Sequence, residues 1–102
     1  MARDVGAVLT RSLVGAAAQA GCPIDVTAGD WRRWASATFS GARHRLSLAG
    51  PPCPALDDWL ARLGDADVAM PGHLVADLTV AAVRRAPQRV EVDLEVLTVE
   101  AD

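Results

Sequence analysis

The sequence predicts an α+β fold: a two-layer sandwich in the order αββαββ, with a four-stranded, mostly antiparallel sheet and two helices on one face. Three observations predict it. Two stretches carry apolar residues at the spacing of an amphipathic helix, and each is followed by two stretches in which apolar and polar residues alternate. The length, 102 residues, suits one domain spanning 1–102 around one core. A hydrophobic content of 51% against 23% charged residues belongs to a chain that folds.

The first helix is expected over about 4–20. Val5, Val8, Leu9, Leu13, Ala16, Ala17 and Ala20 fall on one stripe, Asp4 suits the positive end and Gly21 can close the helix in the left-handed conformation. Residues 21–30 read as a loop, with a short extended piece at Ile24 and Val26. A hairpin is expected over 31–49. Trp31, Ala35, Ala37 and Phe39 alternate, a Gly41-Ala42 type II′ turn follows, and His44, Leu46 and Leu48 alternate after it. That register pairs Ala37 with Leu46 and Ala35 with Leu48. It leaves Trp34, Ser36, Thr38, Arg43, Arg45 and Ser47 on the other face.

The second helix is expected over 54–63. Pro54 suits its first turn, Asp57 and Asp58 its dipole, and Gly64 its end; Leu56, Trp59, Leu60 and Leu63 form the buried stripe. A second hairpin follows the Pro71-Gly72 break. Leu74, Ala76, Leu78, Val80 and Ala82 alternate, as do Val90, Val92, Leu94 and Val96 after a turn at Ala86-Pro87-Gln88, with Val80 opposite Leu94. The open face of this hairpin then carries Val75, Asp77, Thr79, Glu91, Asp93, Glu95, Leu97 and Val99. The element order is the ferredoxin-like one with its first strand moved to the end, which predicts the sheet order 3-4-2-1. Arg43 and Arg45 should then lie beside Glu91, Asp93 and Glu95. The expected core contains Val8, Leu9, Leu13, Leu46, Trp59, Leu63, Leu78, Val80, Val92 and Leu94.

All ten basic residues are arginine; lysine, asparagine and tyrosine are absent, and Ile24 is the one isoleucine. GC-rich bacterial codons produce this bias, so arginine content alone does not argue for phosphate binding. The first fifty residues carry +3 and the remainder −6, for a net −3. An acidic chain with pI near 5.2 repels a polyanion, and no nucleic-acid partner is expected. Cys22 and Cys53 stand beside prolines and read as free thiols of a cytoplasmic protein. The apolar run 5–20 is interrupted by Arg11 and preceded by Asp4, against a secretion signal, and no membrane partner is expected.

Candidate chemistry is sparse. Arg32, Arg33, Arg43 and Arg45, with Trp34 as a wall, are the candidate anion or small-molecule ligand site. Cys22, His44, Cys53 and His73 have no ligand spacing, so neither a metal site nor a cofactor is expected. Cys53 or His73 could serve a small enzyme only if folding brought a thiol and an imidazole together; no catalytic residue is assigned. Val75, Leu97 and Val99 turn the acidic open face apolar at one end and are the candidate interface. The leading expectation is a homo-oligomeric protein-interaction module. The alternatives are an anion-binding or ligand-binding domain and, behind it, a small enzyme.

Overall fold

Asp4 starts the first helix by accepting a hydrogen bond from the Gly6 N–H at 2.9 Å through Oδ1. Helix α1, Val5–Gln19, then buries Val5, Val8, Leu9, Leu13 and Ala17. It ends in a Schellman arrangement: Gly21 has φ 86°, its N–H reaches the Ala18 carbonyl, and Cys22 N–H reaches the Ala17 carbonyl at 3.0 Å. The computed structural model describes residues 4–65 and 68–101. After α1 come β1 (Asp25–Ala35), β2 (Ser40–Gly50), α2 (Pro54–Leu63), β3 (His73–Ala86) and β4 (Arg89–Glu100).

The four strands form one sheet in the order β1-β2-β4-β3, every neighbouring pair antiparallel. This is the predicted order, read from the other edge. Helix α1 lies over β1 and α2 over β3, on the same face. The halves are thus two αββ units placed about the antiparallel β2–β4 seam, each with its second strand at the centre. One core fills the space between the layers. Leu9, Leu13, Leu48, Leu56, Leu63, Val90, Val92 and Leu94 are its most enclosed members. Of the expected core only Val80 is half-buried, packed at the margin.

The first hairpin departs from expectation. Strand β1 starts at Asp25, within the stretch read as a loop, and pairs Trp31 with His44 and Trp34 with Gly41. The predicted pairs Ala37–Leu46 and Ala35–Leu48 do not form. The turn is residues 36–39, held by Ser36 N–H to the Phe39 carbonyl at 2.7 Å and by Phe39 N–H to Ser36 Oγ at 3.0 Å. Gly41 serves a different purpose. A Cβ there would stand 1.9 Å from the Thr98 carbonyl oxygen, so its missing side chain lets β4 approach β2.

The second hairpin turns at Pro87-Gln88 and pairs Val80 with Leu94, as predicted. Register shifts at Ala76 and Ala81 change which residues face the helices on either side of that pair. Val75 therefore lies on the helix side, against the core, and not on the open face as predicted. Leu74 takes its place in the open, 62% exposed. Gly64 caps α2 with φ −65°, so it ends the helix without a left-handed residue.

Candidate functional site

Alternation and register assign the open face row by row, because residues paired across an antiparallel sheet share a face. At one end Trp34, Gly41, Val99 and Leu74 form an apolar row across the four strands. The next row is Arg32, Arg43, Leu97 and Asp77. The third is Asp30, Arg45, Glu95 and Thr79, and the fourth Ala28, Ser47, Asp93 and Ala82. The last is Asp25, Ala49, Glu91 and Arg84. Phe39, in the β1–β2 turn, is 58% exposed.

Three of the four candidate arginines come together here. Arg32, Arg43 and Arg45, with Asp30, Asp77, Glu95 and Leu97, line a trough of about 640 Å³ that reaches from β1 to β3. Arg33 does not join them: it pairs with Ala42 and points to the opposite face. Trp34 stands on the open side, half-buried, with its Nε1–H enclosed and lacking a hydrogen-bond partner among the described residues.

Ion pairing on this face is uneven. Arg84 grips Asp93 with two hydrogen bonds, 2.7 and 3.1 Å, and Ser47 Oγ donates to the same carboxylate at 3.0 Å. Those bonds, Arg84 first, hold Asp93 below the usual carboxylate range. Arg89 lies 3.7 Å from Glu91, and Arg85 reaches Asp57 of α2 at 2.8 Å. Among the described residues, no acid comes within 4.0 Å of Arg32, Arg43 or Arg45. Of the expected neighbours, Arg45 does stand directly opposite Glu95, though the two make no ion pair within 4.0 Å, and Arg43 meets no acid. Arg43 stands opposite Leu97, and the acids nearest the turn are taken by β3 and by β4 itself. Arg32 directly faces Arg43, a like-charge cross-strand pair that disfavours the isolated fold.

On the helix side His44 is 2% exposed, and its Nε2 lies 3.0 Å from Thr98 Oγ1. Thr98 Oγ1 can donate in turn to the Ala42 carbonyl, so Nε2 is the donor towards Thr98. Nδ1 is then an enclosed acceptor without a partner among the described residues. Burial, with a smaller contribution from His73, pushes the imidazole pKa down, against Asp4. Trp31 stands nearby, ring centroids 6.4 Å apart, and its Nε1–H donates to Asp4 Oδ1 at 3.2 Å. A cleft of about 320 Å³ runs between α1 and β1 beside these groups.

The cysteines and histidines do not converge. Cys22 is buried, donates to the Ala17 carbonyl at 3.4 Å and has its pKa raised by burial and then by the neighbouring Cys53. Asp57, one helical turn beyond Cys53, binds Arg85 at the far end of β3 from His73, a separation on the order of 35 Å at the strand rise. His44 lies at the start of α1, whereas the two cysteines lie at its end. No thiol–imidazole pair forms, and among the described residues no group of three acid, His or Cys side chains could hold a metal. Both thiols are free, and no described helix is long and apolar enough to cross a membrane.

Compared with protein-family models, with curated proteins and with solved structures, the chain finds no match. What the site can do rests on its own geometry. Sequence reasoning missed Leu74; the small residue Ala76 inside a strand pattern is the signal that a register shift could move it.

Proposed function

We propose that this protein is an interaction module that self-associates through the open face of its sheet. The observation that carries the reading is the first two rows, where exposed Leu74 and half-buried Trp34, Leu97 and Val99 lie beside three arginines without ion pairs. Large apolar groups on three of the four strands, Trp34, Val99 and Leu74, with Gly41 between them, make the kind of surface that a partner covers. Arginine is suited to such a place because its guanidinium is weakly hydrated. The free thiols Cys22 and Cys53 fit a reducing, cytoplasmic setting.

Light scattering over a micromolar concentration series tests the reading. The mean mass should rise with concentration, and Leu97→Glu should return the protein to the monomer mass with its circular dichroism unchanged. A wild-type protein that stays monomeric at high micromolar concentration contradicts it.

A second reading has its own support. Arg32 opposite Arg43, with Arg45 two residues along the same face, could clamp a carboxylate or phosphate group. Calorimetric titration with inorganic phosphate tests it. Binding that is lost in Arg43→Ala while stability is kept favours the clamp, and absence of heat counts against it.

A further inference from the structure

The geometry points to a second copy of this chain as the occupant of the open face, docked sheet to sheet about a twofold axis that runs along the strands over the β2–β4 seam. This rests on the proposed self-association and specifies how it occurs.

The argument is the charge pattern of the rows. The β1–β2 half of the trough holds Arg32, Arg43 and Arg45 against Asp30, and the β4–β3 half holds Glu95 and Asp77. One half is basic, the other acidic, and the ion pairs within the chain leave these three arginines unused. A twofold axis along the strands keeps each row facing its own row while exchanging the halves. Arg32 then meets the partner's Asp77, and Arg45 meets the partner's Glu95, each contact occurring twice as an isologous interface requires. In the apolar row, Trp34 meets the partner's Leu74, and Val99 covers the partner's Gly41. The like-charge pair Arg32–Arg43 gains a carboxylate that the chain does not itself supply.

The other in-plane twofold axis, across the strands, has the opposite consequence. It sets Arg45 on Arg45 and Glu95 on Glu95, and it lays the apolar row over Asp25 and Glu91. Like charges face to face disfavour that arrangement. Sheets stacked face to face keep their strands within about 30° of each other, which the strand-parallel axis allows. Four strands at ~4.8 Å spacing and ten residues at ~3.3 Å rise make a face of roughly 19 by 33 Å, about 600 Å² a side. That lies at the lower limit of specific interfaces and implies a dimer that dissociates on dilution.

Arg32 and Asp77 provide the test because they stand on opposite edge strands and cannot pair within one chain. Arg32→Glu and Asp77→Arg should each weaken the homodimer roughly tenfold or more, by setting like charges against each other. Mixed in equal amounts, the two variants should form a heterodimer, because each bad contact becomes a good one. Sedimentation velocity on each variant and on the mixture reads this directly. A mixture no tighter than its components overturns the arrangement. If Leu97→Glu dissociates the dimer while neither charge variant affects it, the open face is used but the docking is wrong. If the wild type does not self-associate, both proposals fall.

Discussion

At the residue scale, His44 shows how burial sets chemistry. An imidazole enclosed on the helix side, with Nε2 on Thr98 and Nδ1 bare, is biased by burial towards its neutral form. Its folded pKa lies below the unfolded value of about 6.5, so the unfolded chain binds the proton first. The stability from this group is complete above that value and is lost as pH falls through the folded pKa. Urea denaturation should therefore give a lower midpoint at pH 5 than at pH 7.5, and His44→Leu should flatten that difference. Equal losses in both proteins would show that other groups carry the pH dependence. The inward direction of His44 was legible from alternation with Leu46 and Leu48. Its bare Nδ1 was not, since that depends on Thr98 standing across the seam.

At the element scale, periodicity located both helices to within a residue and the second hairpin down to its Val80–Leu94 pair. It failed in the first hairpin because a glycine can mean two things. Gly41 was read as a turn residue, whereas it permits close approach of Thr98, and the turn belongs to the Ser36 hydroxyl and backbone. Gly41→Ala should cost about 1–3 kcal/mol, the usual cost of forcing a methyl group into filled space. A loss under half that lower bound in chemical denaturation would mean that the β2–β4 seam opens easily. Leu78→Ala, at a buried position facing Val96, should cost about 2–5 kcal/mol. A smaller cost would place β3 outside the cooperative core. The small residues Ala76 and Ala81 mark where shifts are cheap, but whether they occur was not legible, because a register shift reflects the partner strand and the cover above it. The shift at Ala76 moved Val75 inward and Leu74 outward, and so altered one member of the candidate interface.

At the scale of the whole molecule, the αββαββ order implied the sheet order before any geometry was known, because hairpins and helices on one face leave few arrangements. The candidate site was legible in part. Arg32, Arg43, Arg45, Trp34, Leu97 and Val99 reach the open face together, while Arg33 and Val75 do not. Which arginines lack counter-ions depends on side-chain choices such as Arg84 taking Asp93, and alternation carries no trace of those. Salt should act on the assembled state more than on the chain, since the paired charges of this face are exposed and weak. Raising ionic strength from low to physiological should loosen self-association while leaving the urea midpoint of Leu97→Glu nearly unchanged. A midpoint that falls equally would place the salt-sensitive contacts inside one chain.

The most direct measurement is an isotope-filtered nuclear Overhauser experiment on a mixture of labelled and unlabelled chains at high micromolar concentration. It reports only contacts between copies. The open-face account predicts cross-peaks from the Leu74, Leu97 and Val99 methyl groups to the Trp34 indole and the Arg43 side chain of the other copy. Cross-peaks confined to α1, α2 or the edge of β3, or none at all, would contradict it.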